Sequence, residues 1–238
     1  MIGGVATRYM GGRFTGGVTV VGFALSSVPT APALFNDPAT ATNIPGWNTV
    51  VTTQSDDTYI TVNLPFNVTL SGPSTFNTVY ATSNQYLMLG TLQSVTWFSF
   101  SESNPAVPKM LLNAADTSWN RVYTKYSDKA VTIRVQGGNT SGGGAVTVYE
   151  VTFFNPVNFS SLMSGYASAI QVVVGAYTSS GTGQGIYTSN TTLASRSGFM
   201  ATGKNYLYLL DTNGFWTIQD DIYLQNKAAY DAGEYAYA

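Results

Sequence analysis

The sequence predicts an all-β protein: an antiparallel, jelly-roll-like β-sandwich with an extended N-terminal arm and a C-terminal β extension. Short segments rich in Val, Ile, Thr, Tyr and Phe alternate between apolar and polar residues, with the period of two that half-buried strands have. Gly, Asn, Asp and Ser clusters separate these segments at short intervals, and no long helical period intervenes. Only 9% of the 238 residues are charged, so hydroxyl, amide and apolar groups must cover most of the surface.

Three parts follow from this pattern. Residues 1–46 form a Gly- and Pro-rich arm, in which Gly pairs divide short pieces and the stretch 29–45 is too rich in Pro to continue a sheet. Residues 47–187 form the sandwich domain. Residues 188–238 form a C-terminal β extension and docking tail. We expect the arm to lie on a neighbouring subunit, because a Gly-broken segment is unlikely to be ordered alone.

The strands of the domain can be read from the alternation. In the first half, Pro65 interrupts one ladder, the polar residues 83–85 form a hairpin turn, and residues 110–115 predict a short helix or turn before Trp119. The first-half strands are 49–53, 59–64, 66–70, 79–82, 86–89 and 95–100. In the second half, the Gly-rich run 137–144 joins two strands and residues 211–214 form a turn. The second-half strands are 130–136, 146–154, 170–175, 206–210 and 215–218.

The composition excludes most catalytic chemistry. The chain has no His and no Cys, so neither a Ser-His-Asp nor a Cys-His relay can form, and the usual nitrogen and sulfur ligands of zinc and haem are missing. The net charge of −2 and the pI of about 4.9 provide no basic field for nucleic acid or for an anionic membrane. We expect no enzyme and no cofactor.

Carboxylates are the remaining candidates for chemistry, because glycoside hydrolysis needs only two of them. The candidates are Asp56, Asp57, Glu102, Glu150, Asp220 and Asp221. Adjacent residues on a strand point to opposite faces, so neither Asp doublet supplies a facing acid pair, and Glu150 alternates with apolar neighbours as an outward strand residue does. We expect structural roles for these acids. A calcium ion near Asp220 and Asp221 is an open alternative, although no calcium-loop motif is present.

Aromatic residues in the arm and the tail are candidates for a subunit interface, where amphipathic rings are favoured. They are Tyr9, Phe14, Phe23, Tyr230, Tyr235 and Tyr237. An apolar run at 18–25 after Arg8 and Arg13 has the outline of a secretory signal. Its shortness, together with Gly22 and the prolines that follow, favours the arm over a cleaved signal.

Five segments, in order, resemble a β-rich domain of accessory virion proteins from tailed phages, notably cyanophages. They are residues 64–66 (LPF), 76–90 (FNTVYATSNQYLMLG), 131–137 (VTIRVQG), 149–156 (YEVTFFNP) and 170–175 (IQVVVG). Their order is also similar to that of nidogen-like extracellular domains, except that Gln85 stands where that pattern has Gly. The resemblance spans residues 57–176, about half of the chain. It implies a virion or adhesion role and carries over no catalytic residue.

We therefore expect a non-enzymatic structural protein of a virus particle: a capsid decoration or cement protein, a head fibre or a tail component. The expected partners are further copies of the chain (a trimer, by analogy with fibres) and other virion subunits, and a host-surface glycan is a further candidate. The alternative is a secreted or cell-surface carbohydrate-binding or adhesion module whose exposed Trp and Tyr stack on sugar. A β-sandwich glycan hydrolase is the third hypothesis.

Overall fold

The computed structural model confirms an all-β antiparallel sandwich. It describes residues 23–26, 46–53, 55–93, 107–112, 117–128, 130–136, 147–157, 165–177, 184–188, 191–196, 201, 203–220 and 223–226. Within these ranges the chain forms fifteen strands, numbered here in chain order, and every strand pairing is antiparallel. The strands belong to two large sheets and one two-stranded ribbon.

The first large sheet has seven strands in the order β14-β13-β10-β9-β8-β7-β2. Their bounds are β2 (Asn48–Val51), β7 (Arg121–Tyr126), β8 (Ala130–Gln136), β9 (Thr147–Phe154), β10 (Tyr166–Tyr177), β13 (Asn205–Asp211) and β14 (Trp216–Asp220). The second has six strands in the order β12-β11-β6-β5-β4-β3. Their bounds are β3 (Tyr59–Ser71), β4 (Ser74–Thr82), β5 (Tyr86–Leu89), β6 (Lys109–Leu112), β11 (Gln184–Thr188) and β12 (Thr191–Arg196).

Successive strands mostly pair within one sheet, so the connectivity is that of two meanders. The strands β3 to β6 follow one another across the six-stranded sheet, and β7 to β10 do so across the seven-stranded sheet. A jelly roll is instead built from two Greek keys. The expected sandwich is therefore present, but its strand order is not that of a jelly roll.

The core lies between the two sheets and takes alternate residues from each strand. Val131, Ile133 and Val135 face inward from β8, as the period of two predicts. Phe76 on β4 meets Phe153 on β9 edge-to-face, with ring centroids 6.1 Å apart. Each large apolar side chain buried in this way stabilises the fold by roughly 1.5–3 kcal/mol.

Strand β3 is the edge strand of the six-stranded sheet and packs against β10 of the seven-stranded sheet. Just before it, Ser55 forms a backbone bridge with Trp119, which precedes β7. At its far end, the Trp216 indole N–H on β14 donates to the Leu70 carbonyl at 2.6 Å. The pairing of β3 with β4 shifts register between Asn63 and Val68, so the ladder is interrupted near Pro65 as predicted. The predicted strands 59–64 and 66–70 are nevertheless one continuous strand, β3.

Several sequence assignments differ from the structure. Strands β7, β11 and β12 were not predicted, and the predicted strand 95–100 lies outside the described residues. Residues 110–112 belong to strand β6 and not to a helix or turn. Their alternation is hidden because Met110 and Leu112 face the core while Leu111 packs in a second apolar cluster on the opposite face. Strands β12 to β14, from the predicted C-terminal extension, belong to the two large sheets, so the sandwich continues from residue 187 to residue 220.

The N-terminal arm and the C-terminal tail meet in the two-stranded ribbon. Strand β1 (Phe23–Ser26) pairs with β15 (Tyr223–Asn226) over four residue pairs, from Phe23 with Asn226 to Ser26 with Tyr223. Neither strand is hydrogen-bonded into a large sheet. The segments predicted as arm and docking tail therefore contact each other.

Candidate functional site

Of the six predicted interface aromatics, only Phe23 falls within the described residues, where its backbone pairs with that of Asn226 in the ribbon. The other five lie outside the described residues. They are Tyr9, Phe14, Tyr230, Tyr235 and Tyr237.

The most enclosed of the candidate acids is Glu150, on the outward side of β9. It has no exposed surface, and its carboxylate accepts a hydrogen bond from Arg134 Nε on the neighbouring strand β8 at 2.5 Å. The Arg134 guanidinium also lies 4.7 Å from the centre of the Trp47 ring, in a cation–π contact. The outward position predicted for Glu150 is confirmed, but the side chain is buried and ion-paired.

The other described acids also have structural contacts. Asp56 accepts a hydrogen bond from the Asp57 backbone N–H at 2.9 Å, and Asp57 accepts one from the Asn84 amide at 2.9 Å. Asp220 on β14 forms an ion pair with Arg196 on β12 at 2.5 Å, which links the edges of the two sheets. Glu102 and Asp221 lie outside the described residues.

The described carboxylates do not assemble into a metal site. Among the residues with described positions, no three or more Asp, Glu, His or Cys side chains come together in a group that could hold a metal ion. The Asp220 carboxylate is already ion-paired with the Arg196 guanidinium. The described residues therefore provide no further ligand for a calcium ion near Asp220 and Asp221.

The turn between β4 and β5 forms a polar network that we call the crossover clamp, defined as Thr58, Ser83, Asn84, Gln85 and Thr117. Ser83 exchanges hydrogen bonds with Thr58, its N–H donating to the Thr58 carbonyl and its hydroxyl accepting from the Thr58 N–H. The Thr117 N–H donates to the Asn84 amide oxygen, and the Thr117 hydroxyl donates to the Ser83 carbonyl. The clamp thereby joins the two chain segments that cross between the sheets, 55–58 and 117–119.

Gln85 links the clamp through both its side chain and its backbone. Gln85 has a left-handed backbone with φ of 60°, a conformation that favours Gly. Its side-chain amide donates to Thr117 Oγ1 at 3.1 Å and its carbonyl accepts from Leu112 N–H at 3.1 Å. The side-chain bond is absent from any Gly variant, so Gln supplies a link across the clamp at the expense of backbone strain.

The outward side of the seven-stranded sheet carries a polar surface that we call the polar face. Its members are Thr132, Arg134, Glu150, Thr152, Gln171 and Asn205. Each is at most 5% exposed. The strand register places Arg134 opposite Glu150 and Thr132 opposite Thr152, with the two threonine hydroxyls 2.9 Å apart. The Gln171 amide donates to the Tyr206 carbonyl.

The outward side of the six-stranded sheet carries a buried apolar cluster beside the buried Lys109, and we call this cluster the apolar face. It is the buried cluster of Tyr86, Met88, Val107, Leu111 and Tyr187, against which Tyr80 packs. Gly185 on β11 is required here, because a Cβ atom would lie 2.8 Å from the Tyr187 ring and 2.5 Å from the Ala194 carbonyl oxygen.

The described tryptophans do not form an exposed platform for sugars. Trp119 and Trp216 are buried, and Trp47 is half-buried over Arg134. The exposed rings within the described ranges are those of Tyr59, Tyr126 and Phe215. Tyr59 meets Tyr80 edge-to-face, with centroids 5.9 Å apart.

Two features of the site could not be recognised from sequence alone. The Arg134–Glu150 pair depends on the register of β8 against β9, which the Gly-rich connection leaves undefined. The bonds from Asn84 and Gln85 to Thr117 join residues 33 and 32 positions apart. The only signal was the polar run 83–85, which predicted a turn.

Comparisons with protein-family models, curated proteins and solved structures gave no match to this chain. No helix within the described ranges is long and apolar enough to cross a membrane.

Proposed function

We propose that this protein is a non-enzymatic structural subunit of a virus particle, a capsid decoration or cement protein, head fibre or tail component, that assembles through contacts between copies. One observation carries the proposal: all four candidate acids within the described residues have structural partners. Glu150 is paired with Arg134, Asp220 with Arg196, Asp57 with Asn84, and Asp56 with the backbone of its neighbour.

A catalytic carboxylate pair needs the opposite arrangement. Two acids must face one cleft across a gap that admits the substrate, and one of them must stay protonated. Glu150 instead lies fully buried against a guanidinium, where substrate cannot reach it. This arrangement supports a scaffold over a hydrolase.

The low charge of the chain supports assembly. At 9% charged residues, the protein has about a third of the charge of an ordinary soluble domain, whose charges keep copies apart. Such a surface is tolerated where much of it is buried against other subunits. The side chains of the polar and apolar faces are already buried within one chain. The sheet edges, the arm and the tail therefore remain for contacts between copies.

The solution mass of the full chain tests the proposal. Light scattering is expected to show a stable oligomer of at least three chains, and electron microscopy a closed, symmetric particle of fibre or decoration type. The variant that lacks residues 1–46 is expected to be smaller. A folded full-length monomer over micromolar to hundred-micromolar concentrations would contradict the proposal.

A carbohydrate-binding module is the second candidate, and Tyr59 is the observation that favours it. Tyr59 on β3 is 39% exposed, and its ring meets that of Tyr80 edge-to-face, so an aromatic residue is available to solvent on this strand. Glycan binding that is lost in Tyr59→Ala and kept in Phe215→Ala would establish this function. Equal glycan binding by both variants would remove Tyr59 as the site.

A further inference from the structure

Strand β3 ends the six-stranded sheet, and it differs from the other edge strands of the two large sheets. Strand β2 has only four residues, and β12 and β14 carry Arg196 and Asp220, which form an ion pair across the sheet edges. Strand β3 has thirteen residues, and none of them is charged. Proteins usually protect an edge strand from pairing with other chains by shortness, charge, Pro or a bulge. A long, uncharged edge strand is therefore available for pairing.

The two halves of β3 differ in this respect. The second half contains Pro65 and follows the register shift, and there the Thr69 N–H and the Leu70 carbonyl bond to side chains of the seven-stranded sheet. The first half pairs with β4 in an unbroken register, and none of the described strands is hydrogen-bonded to its other side. Its outward side chains are exposed. We call these residues the open edge: Tyr59, Thr61 and Asn63.

The backbone groups of the open edge point away from the sheet. The Ser83 N–H donates to the Thr58 carbonyl, so Thr58 and Ser83 form a hydrogen-bonded pair at the start of the ladder between β3 and β4. Facing residues of antiparallel strands alternate between hydrogen-bonded and non-hydrogen-bonded pairs, so the next residue of β3 that bonds to β4 is Ile60. The N–H and C=O groups of all three open-edge residues therefore lie on the free side of β3.

We propose that the open edge pairs with the open edge of a second copy, antiparallel and about a two-fold axis through Thr61. Thr61 then lies opposite Thr61 of the second copy, and Tyr59 lies opposite Asn63 of the second copy. The three facing pairs exchange about six backbone hydrogen bonds, two for each pair. This inference rests on the proposed function, because it names one contact that joins the copies. A two-fold contact closes after two chains, so a larger particle also needs contacts elsewhere on the chain.

The chemistry of the edge favours a second copy over an unlike protein. Complementary charge normally helps to select an unlike partner, but no Asp, Glu, Lys or Arg occurs from Thr58 to Ser101. Identical uncharged strands do not need such complementarity, and two facing threonines are a favourable cross-strand pair. The nearest charge along the chain, Asp57, falls opposite Pro65 of the second copy and not opposite another acid. The net charge of −2 also gives whole copies little repulsion.

Cysteine at the two-fold axis tests the register, because the chain has no other thiol. In Thr61→Cys the two thiols belong to facing residues, whose Cα atoms are about 5.5 Å apart and within disulfide range. Mild oxidation of the assembled protein is expected to give a covalent dimer on a denaturing gel. In the matched control, Asn63→Cys, the two thiols lie four residues apart along the paired strands, roughly 13 Å, and no dimer is expected.

A mixture of Asn63→Cys with Tyr59→Cys completes the experiment. These positions face each other across the axis, so the mixture is expected to give a covalent dimer that contains one chain of each variant. No dimer in Thr61→Cys, or as much dimer in Asn63→Cys as in Thr61→Cys, would overturn the inference.

Thr61→Lys gives a second, independent readout. Thr61 is exposed in the single chain, so the variant is expected to unfold in urea at the same concentration as the wild type. In the pair, two lysines face each other, and like charges placed together are expected to weaken the association of copies by about tenfold or more. The matched control is Asn67→Lys, which adds the same charge to an exposed position of β3 beyond the register shift. Its association is expected to change by less than about twofold.

Light scattering on both lysine variants separates the inference from the proposed function. If the wild type is an oligomer and Thr61→Lys assembles as well as Asn67→Lys, the contact at β3 is wrong and the proposed function stands. If the wild type is a monomer, both fail.

Discussion

Each outward side of the sandwich carries a patch of buried side chains, and the two patches are built from different chemistry. The polar face on the seven-stranded sheet contains an ion pair, a threonine pair and two amides. The apolar face on the six-stranded sheet is a cluster of aromatic and aliphatic side chains. Equal burial of unlike surfaces shows that burial alone does not define a core. The interactions that stabilise each face determine how a substitution destabilises it.

On the polar face, stability depends on pairs. A buried polar group contributes little when it is paired and is costly when its partner is removed. On the apolar face, stability depends on filled volume, so a loss scales with the cavity that a truncated side chain leaves. Single and double substitutions therefore distinguish the faces: a second change rescues the first only on the polar face.

The largest effect is expected for Glu150→Ala, which leaves the Arg134 guanidinium buried without its carboxylate. Removing one member of a buried pair destabilises a protein by about 3–5 kcal/mol. Urea unfolding followed by tryptophan fluorescence measures the loss. The control is the double variant Arg134→Met with Glu150→Leu, which is expected to lie close to the wild type because both charges are gone. A double variant as unstable as Glu150→Ala would contradict the pairwise account.

The apolar face is tested by Leu111→Ala. Leu111 is fully buried within the aromatic cluster, so the truncation is expected to lower the free energy of unfolding by about 2–5 kcal/mol. The matched control is Leu111→Met, which keeps the volume and is expected to cost less than about 1.5 kcal/mol. The same urea titration applies. A loss below about 1 kcal/mol in Leu111→Ala would show that the cluster collapses freely and is not packed as a core.

The same contrast explains what the sequence predicts well. The alternation of β8 places Val131, Ile133 and Val135 in the core and Arg134 on the outward side, and both placements are confirmed. In β6 the pattern fails, because the two faces bury apolar side chains alike and residues 110–112 have no period of two to read. Alternation can be recognised only where the two faces of a strand differ in polarity, as they do in β8 although both are buried.

The site is less predictable than the fold, because its contacts are set by register and by distant segments. The outward position of Glu150 follows from alternation, but its burial against Arg134 follows from the pairing of β8 with β9. Gln85 was predicted only as part of a polar turn, and its bond to Thr117, 32 residues away, has no local signal in the sequence. No local pattern encodes either contact.

Tyr208 lies between the sheets and is a third case, in which the free energy of unfolding depends on pH. Its hydroxyl donates to the Gln184 amide oxygen at 3.3 Å, and complete burial raises the pKa of Tyr208 far above its ordinary value of 10.0, with Tyr206 and Tyr187 adding to the shift. Above about pH 10 the unfolded chain releases this proton and the folded chain keeps it. The free energy of unfolding therefore falls with rising pH, by up to about 1.4 kcal/mol per unit for this group, and is unaffected at neutral pH.

Thermal unfolding between pH 9 and 11 measures this contribution. Tyr208→Phe is expected to lose a hydrogen bond at every pH and to show a shallower alkaline decline than the wild type. Tyr126→Phe is the control, because Tyr126 is 44% exposed and its pKa is raised less strongly. Parallel alkaline declines for the wild type and Tyr208→Phe would show that Tyr208 ionises in the folded state.

A smaller effect than that of the ion pair is expected for the uncharged pair of the polar face, Thr132 and Thr152. Thr132→Val removes one hydroxyl of nearly the same shape and leaves Thr152 Oγ1 without its partner at 2.9 Å, which costs about 1–3 kcal/mol. The double variant, with valine at both positions, is expected to lie within about 0.5 kcal/mol of the wild type. The coupling in this double-mutant cycle should be well below that of Arg134 with Glu150, because no charge is stranded. Equal couplings would mean that the geometry of the paired groups, and not their charge, determines how much stability is lost when one partner is removed.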